Sequence, residues 1–335
     1  MVNAKFYKQL HNKHVQCFLC PHYCVIKSGS RGKCGVRENV EGILYTLVYG
    51  KVISSMVDPI EKKPLFHFLP GSSSLSIATM GCNMSCEFCQ NWEISQSVKP
   101  QYQVIGQEMS SEDIINKAMK NNCESISYTY TEPTIFYEFA YDTAKIAREH
   151  GLKNVFVTNG YINPEPQDEV CSVLDAVNVD LKGFSDEYYM EVCGAKLQPV
   201  LEAIRKYYEN GVWIEITTLI VPGHNDSDEM LLKMGEFIAS IDLKIPWHIS
   251  RFYPTYKVQH LPITDIDTIH KAVEIGKKLS LKYVYTGNIP GDNFENTYCP
   301  HCKRKVITRE GFTLINMNLN ENICKNCNEK IDLIL

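Results

Sequence analysis

Residues 79–92, TMGCNMSCEFCQNW, govern the interpretation of this 335-residue chain. They place three cysteines, Cys82, Cys86 and Cys89, in the spacing C-x3-C-x2-C, and no fourth cysteine lies nearby in the sequence. Structural metal sites usually have four protein ligands, whereas catalytic metal sites keep one position open for a small molecule. Three thiolates can hold three corners of a cubane iron–sulfur cluster and leave the fourth iron free. The stretch therefore predicts a catalytic cluster, with a zinc site completed by a distant histidine as the alternative.

The composition restricts the class of protein. Hydrophobic residues make up 44% and charged residues 22% of the chain, which is typical of a soluble globular protein with an apolar core. The net charge of −5 gives no basic surface, so nucleic acid is not the expected partner. The first 14 residues lack the apolar core of a signal peptide, and no apolar run approaches membrane-spanning length. We therefore expect a cytoplasmic protein that does not enter a membrane.

The cysteine content also needs an explanation. The chain has 14 cysteines, and in a reducing compartment clustered thiols indicate metal ligands more than disulfides. Eleven of them fall in three groups. The remaining Cys123, Cys171 and Cys193 are scattered, and we expect them to be small buried hydrophobic residues.

The chain divides into three parts. Residues 1–72 contain a four-cysteine motif and a segment, GILYTLVYGKVISSMV, that predicts a β-hairpin. Residues 73–290 alternate strand-like and helix-like segments, which predicts an α/β fold with a parallel sheet. Six or seven strands favour an open or partial barrel over a closed one, with the functional residues at the carboxyl ends of the strands. Residues 291–335 predict a small C-terminal module.

The C-terminal module contains two C-x2-C pairs separated by 21 residues. This spacing is typical of a zinc ribbon, in which a short hairpin brings the two pairs together around Zn²⁺. We expect the module to be structural or to dock a protein. The predicted zinc ligands are Cys299, Cys302, Cys324 and Cys327.

The N-terminal motif has four cysteines at irregular spacing: Cys17, Cys20, Cys24 and Cys34. A structural zinc ion, an auxiliary iron–sulfur cluster and redox-active thiols all remain open for this group. Structural metal is the interpretation we favour.

The C-x3-C-x2-C spacing after a predicted strand, with Phe88 directly before the last cysteine, resembles the radical S-adenosylmethionine (SAM) superfamily. The resemblance implies a partial (β/α)6 TIM-like barrel and a [4Fe–4S] cluster whose open iron binds the amino and carboxylate groups of SAM. It also implies that one electron, supplied by a ferredoxin- or flavodoxin-type donor, splits SAM. The resulting 5′-deoxyadenosyl radical would remove a hydrogen atom from a substrate. Phe88 is expected to border the cofactor.

The resemblance further assigns a role to Glu132, in the stretch YTYTEP. This residue matches the acidic end of the superfamily's Gly-Gly-Glu motif and is expected to accept the amine of SAM. Tyr130 and Thr131 stand in place of the two glycines. Glu132 could also serve as a charge at a helix N-terminus.

Three later strand ends supply further candidates. Asn159, in VTNG, resembles the polar turn near SAM, and an ordinary turn is its alternative. Asp180 and Lys182, in NVDLKG, are expected to meet the ribose hydroxyls and the SAM carboxylate; a surface ion pair is the alternative. His248, in PWHISRFYP, is either a lining residue of the pocket or a core histidine.

The whole chain is similar to the radical SAM component of the AmmeMemoRadiSam gene system, a branch near the pyruvate formate-lyase activating enzymes. That resemblance implies association with Memo-like and Ammecr-like proteins. The stretches that carry it span nearly the full length: CFLCPHYCVIKSGSRGKCGVREN, TMGCNMSCEFCQNWEISQ, TYTEPTIFYEF, TNGYI, NVDLKGFSDEYY, PWHISRFYP and the final paired cysteines.

The sequence thus predicts a radical SAM enzyme that abstracts hydrogen from a protein or small molecule. Two alternatives remain: an activase of glycyl-radical enzymes, and a zinc-dependent scaffold protein in which all three cysteine groups are structural. The sequence assigns neither a substrate nor a hydrogen-donating residue.

Overall fold

The fold is built on an eight-stranded sheet, seen in a computed structural model that describes residues 1–98 and 103–335. The strands follow one another in chain order across the sheet, and seven of them run parallel. The first strand is an antiparallel edge. The strands are β1 (Ser54–Pro59), β2 (Ser73–Ala78), β3 (Ser125–Tyr128), β4 (Lys153–Thr158), β5 (Ala176–Asp180), β6 (Trp213–Ile220), β7 (Trp247–Arg251) and β8 (Val284–Gly287).

Each crossover between the parallel strands contains a helix, because parallel neighbours need a long connection. The helices are α1 (Ser111–Lys120), α2 (Tyr137–Glu149), α3 (Pro164–Cys171), α4 (Leu197–Glu209), α5 (Asp228–Ile241) and α6 (Ile266–Lys278). This alternation confirms the α/β prediction. The order of strands in the described residues is linear, with β1 and β8 at the edges, so the sheet is open.

Local sequence signals explain several element boundaries. Ser110 caps α1 by accepting from the backbone N–H of Asp113, whose side chain accepts from the backbone N–H of Ser110. Strand β3 is buried at every position, as expected for a central parallel strand covered on both faces.

The hairpin predicted around Gly50 is wrong. Ile43–Thr46 pairs with Arg37–Val40, whereas Lys51–Val52 pairs with Gln107–Glu108 and β1 joins the central sheet. The N-terminal hairpin therefore lies one strand earlier, because the segment after Gly50 finds partners far along the chain.

The C-terminal hairpin is confirmed. Lys305–Glu310 pairs with Thr313–Met317 in antiparallel fashion, around the predicted turn. Its buried Arg309 donates to the backbone oxygen of Phe66 at 2.7 Å, so the module packs against the segment before β2.

None of the helices in the described part of the chain combines the length and the apolar character that crossing a bilayer requires.

Candidate functional site

A cavity of about 490 Å³ opens at the carboxyl ends of the parallel strands. Its volume lies within the range typical of pockets for small molecules and cofactors. Thr129, Asn159, Asp180, Ser250 and Asn288 lie at or just after the ends of successive strands and line it. Polar groups from distant parts of the sequence therefore converge on one volume, where the fold class predicts function.

The three cysteines of the 79–92 stretch line this cavity from the loop after β2. The loop begins at Gly81, whose φ of 101° favours glycine. A Cβ there would come within 2.7 Å of Val36 and 2.9 Å of the backbone oxygen of Cys34. A side chain at residue 81 would therefore collide with the N-terminal segment. The loop is held by Ser85, whose backbone N–H donates to the oxygen of Cys193 at 2.9 Å.

Polar donors surround the sulfur atoms of this loop. The backbone N–H of Met84 lies 3.4 Å from Cys82 Sγ, and Asn159 Nδ2 lies 3.7 Å from the same sulfur. Ser95 Oγ lies 3.2 Å from Cys89 Sγ. Burial raises the pKa of Cys82 well above its ordinary value and also raises the pKa of Cys89. A metal centre beside them would favour the ionised form of these thiols, and the donors around them suit ligand sulfurs.

Cys193 lies beside Cys86, although the two are 107 positions apart in the sequence (193 − 86). A hydrogen bond from the Cys193 thiol lowers the pKa of Cys86. Cys193 is fully buried and is not among the residues that line the cavity. The predicted buried position is confirmed, but its contact with a cavity cysteine was not foreseen. No local pattern carries that contact, because it joins two distant segments; Cys193 is the last residue of a short π-helical turn, Tyr189–Cys193.

Asp180 and Lys182 form an ion pair, with Nζ 2.8 Å from Oδ2, and both line the cavity. The two side chains therefore face the same cavity. Burial acts to lower the pKa of Lys182, but Asp180 and Cys86 outweigh it and raise that pKa well above its ordinary value. Lys182 Nζ also lies 5.9 Å from the ring centre of Phe88, which is buried and lines the cavity. A permanent positive charge therefore faces the cavity close to Cys86.

Asn159 lines the cavity, but Glu132 does not. Glu132 is fully buried, with Oε1 accepting from Thr134 and from Thr158 Oγ1 at 2.7 Å. Its Oε2 accepts from the backbone N–H of Asn159 at 2.8 Å. That Glu132 accepts the amine of SAM stays a prediction; in the structure its carboxylate lies behind the residues that line the cavity and holds the Asn159 turn. Its alternative role at a helix start is also observed, because Glu132 caps the short helix Pro133–Phe136.

His248 lines the cavity and is at the same time a satisfied core residue. Its Nε2 lies 2.6 Å from Oε2 of Glu215, and its ring packs edge-on against Phe66 at 4.7 Å. Burial alone would raise the pKa of Glu215, but the bond to His248 and the nearby His67 bring it below its ordinary value.

Sequence reasoning missed Glu215, which accepts from the backbone N–H groups of Phe66 and His67 at 3.0 and 2.8 Å. One signal was present: a carboxylate inside the otherwise apolar run WIEITTLIV. A buried carboxylate in such a run needs hydrogen-bond donors. Here the donors are the backbone N–H groups of Phe66 and His67, and the same carboxylate contacts His248.

The four C-terminal thiols converge. Cys299 Sγ lies 3.6 Å from Cys327 Sγ, and Cys302 Sγ lies 3.8 Å from Cys324 Sγ. All four sulfur atoms lie within 4.8 Å of one another, close enough for one metal ion. The four N-terminal thiols line a second, smaller cavity.

Comparison with known proteins agrees with this geometry. The model of the family described as the radical SAM superfamily matches residues 76–237. An uncharacterized protein from Methanocaldococcus jannaschii is 47% identical over 338 residues, covering 100% of both chains. Pyruvate formate-lyase 1-activating enzyme from Escherichia coli (strain K12) is 26% identical over 185 residues, which span 50% of this chain and 71% of that enzyme.

A solved structure extends the comparison to the fold. The crystal structure of a radical SAM methyltransferase from Sphaerobacter thermophilus matches 66% of this chain and 68% of its own chain, with a TM-score of 0.53 and 14% identity. At that level of identity the match bears on the fold alone.

Proposed function

Because the chain belongs to the radical SAM superfamily, we propose that its main cavity binds SAM beside a [4Fe–4S] cluster held by Cys82, Cys86 and Cys89. When bound and reduced, such a cluster supplies the electron that splits SAM and yields the 5′-deoxyadenosyl radical. The substrate from which hydrogen is taken is a protein or a small molecule.

One observation supports this proposal above the others: three thiols, and no fourth, line one wall of a ligand-sized cavity in the described structure. Among the residues that the structure describes, these three thiols do not form a group close enough for a single metal ion, whereas the C-terminal four do. A multi-iron cluster spreads its ligands farther apart than one ion does. The donor set therefore fits a cluster with one open iron better than zinc.

The polar residues of the cavity have distinct roles in the proposal. Lys182 neutralises the carboxylate of SAM, since its charged form is favoured and it lies near Cys86. Asp180 accepts from the ribose hydroxyls while it orients Lys182. Asn159 directs its side-chain N–H toward Cys82 Sγ. His248 and Phe88 enclose the ligand and exclude water.

Glu132 acts as a positioning residue in this scheme. Its carboxylate accepts from the backbone N–H of Asn159, so it fixes the turn that carries Asn159. The predicted contact of Glu132 with the amine of SAM would require it to leave its present donors, Thr134 and Thr158.

Finer assignments rest on the sequence stretches given above. We propose the partial-barrel description, the three-part division at 1–72, 73–290 and 291–335, and Zn²⁺ at the C-terminal thiols. Radical SAM enzymes use a reductant, and a ferredoxin- or flavodoxin-type protein is the proposed donor here. Membership of the AmmeMemoRadiSam branch, Memo-like and Ammecr-like partners and a cytoplasmic location belong to the same proposal.

SAM cleavage is the direct test. Protein purified without oxygen is incubated with SAM and dithionite, and 5′-deoxyadenosine is measured by mass spectrometry. We expect product from the wild type and from a Cys171→Ala control, whose thiol lies outside the cavity. We expect only background from the triple variant Cys82→Ala/Cys86→Ala/Cys89→Ala. A cluster-loaded wild type that forms no product, or a triple variant that cleaves SAM normally, would overturn the proposal.

A second candidate function is the activation of a glycyl-radical enzyme. It is supported by the 26% identity to pyruvate formate-lyase 1-activating enzyme. Its test is electron paramagnetic resonance of a glycyl-radical enzyme encoded near this chain, after incubation with the protein, SAM and reductant. A glycyl radical favours this candidate; SAM cleavage without one favours another substrate.

A further inference from the structure

The N-terminal cysteines surround an enclosed space that the proposed function does not use. Cys17, Cys20, Cys24 and Cys34 all line a cavity of about 20 Å³, together with the apolar side chains of Leu19, Ile26 and Ile135. That volume exceeds the ~10–15 Å³ that a single water occupies. Four thiols therefore face one another across a small apolar space.

The C-terminal thiols supply a reference inside the same molecule. Their sulfur pairs lie 3.6 and 3.8 Å apart. Tetrahedral zinc with bonds of about 2.3 Å requires sulfur atoms about 3.8 Å apart. Four thiols at that spacing leave no room for a group larger than one ion. Across the described ranges 1–98 and 103–335, only the C-terminal group meets the closeness that one ion needs. The N-terminal thiols are thus spread more widely than zinc would hold them.

The surroundings suit a larger anionic group. Arg37 is 1% exposed; its Nη1 lies 3.5 Å from Cys17 Sγ, while its Nη2 pairs with the buried carboxylate of Glu138, so the site has a buried side-chain donor that is itself ion-paired. Backbone N–H groups of His22, Lys33 and Val36 lie near the sulfur atoms of Cys20, Cys24 and Cys34. Hydrogen bonds to cysteine sulfur in an apolar shell are characteristic of protein-bound iron–sulfur clusters.

We propose that Cys17, Cys20, Cys24 and Cys34 ligate a second iron–sulfur cluster, fully coordinated by protein, in place of zinc. This site adjoins the first one. His22 Nε2 lies 2.7 Å from the backbone oxygen of Asn83, and Cys34 packs against Gly81. Both sites therefore contact the loop after β2 that carries Cys82, Cys86 and Cys89. The proposal does not depend on whether SAM is cleaved in the main cavity.

The test counts metals in a variant that lacks the first site. The triple variant Cys82→Ala/Cys86→Ala/Cys89→Ala is purified without oxygen, and iron, acid-labile sulfide and zinc are measured per chain. We expect about two or about four irons with matching sulfide, the contents of the two common four-cysteine clusters. Adding Cys20→Ala and Cys34→Ala should remove this iron. Adding Cys123→Ala instead, a buried thiol outside both cavities, should leave it unchanged.

A triple variant with no iron and two equivalents of zinc would overturn the proposal. If that variant does not fold, Mössbauer spectra of the wild type with and without SAM decide. Iron that does not respond to SAM supports the second cluster, whereas iron that all responds contradicts it. A wild type that fails to cleave SAM while the triple variant keeps its iron would refute the proposed function and leave this inference standing.

Discussion

Side chains at the main cavity are held in place by specific partners. Lys182 depends on Asp180, Asn159 on Glu132, and His248 on Glu215. Asp180 lines the cavity together with Lys182, whereas Glu132 and Glu215 lie behind the lining residues and hold the Asn159 turn and His248 in place. Because these partners fix the orientation of cavity residues, substitutions at Glu132 or Glu215 should alter the geometry of the site without removing a residue that lines it.

Cys193 offers a test of the three-ligand arrangement. It touches Cys86 but does not line the cavity, so Cys193→Ala should keep the iron and sulfide content of the wild type. Loss of a buried hydrogen bond should cost about 1 kcal/mol of stability. Iron analysis and urea unfolding measure both effects, with Cys171→Ala as the control. Loss of iron equal to that of Cys86→Ala would show Cys193 to be a fourth ligand.

His67 should make stability depend on pH. Burial lowers its pKa from 6.5 to about 4, although Glu215 opposes this; Arg309 and His248 face it too. Tyr285 Oη lies 2.5 Å from its Nε2. Between these pH values the unfolded chain binds the proton that the folded chain excludes, so stability falls as the pH drops below 6.5.

The measurement compares urea unfolding of the wild type and His67→Gln at pH 7 and pH 5. The wild type should lose about 2 kcal/mol more than the variant over this interval. Equal losses would mean that His67 is not held neutral in the folded protein.

Among the secondary-structure elements, α1 shows local signals most clearly. Its start is fixed by reciprocal bonds between Ser110 and Asp113, which lie on the surface. By contrast, β6 carries Glu215 in an apolar setting, and its buried position depends on donors from residues 66 and 67. Helix boundaries of the first kind can be predicted from sequence; polar contacts of the second kind cannot.

Ser110→Ala should destabilise the protein by about 1 kcal/mol, because the backbone N–H of Asp113 at the start of α1 loses its side-chain acceptor. Lys120→Ala, at the other end of the same helix, is the control and should change stability by less than about 0.5 kcal/mol. Urea unfolding measures both. An equal effect of the two substitutions would show that the cap contributes nothing specific.

In the molecule as a whole, the main cavity draws residues from all three parts of the chain. Phe66 comes from the N-terminal part, Lys182 from the central sheet and Phe312 from the C-terminal hairpin. Arg309 and Ile334 tie that hairpin and the chain end to the segment before β2. The C-terminal module is therefore continuous with the wall of the site.

Removing the metal proposed for the C-terminal thiols should weaken the packing of this module against the segment before β2. In Cys302→Ser/Cys324→Ser, we expect amide hydrogen exchange to rise at Leu69, whose N–H donates to the oxygen of Ile334 at 2.8 Å, and in the adjoining segment. Strand β4, held within the central sheet, is the internal control and should exchange as in the wild type. Unchanged protection at Leu69 would show that the chain end stays docked without metal.

Much of this protein could be predicted from local patterns. Strand–helix alternation indicates the parallel sheet, the C-x3-C-x2-C spacing indicates a three-thiol loop, and paired C-x2-C motifs indicate a convergent four-thiol group. These patterns are informative because each acts within a few residues, through backbone periodicity or the reach of adjacent ligands.

Other features depend on contacts between distant segments, which no local pattern records. Burial of Glu132 behind Asn159, Cys193 beside Cys86 and Glu215 beneath His248 each join residues from different strands or loops. The spacing of the four N-terminal thiols also depends on contacts between distant segments. The chain segments that carry these cysteines pack against the loop after β2. Sequence spacing limits which residues can meet, and packing of the whole fold sets which do.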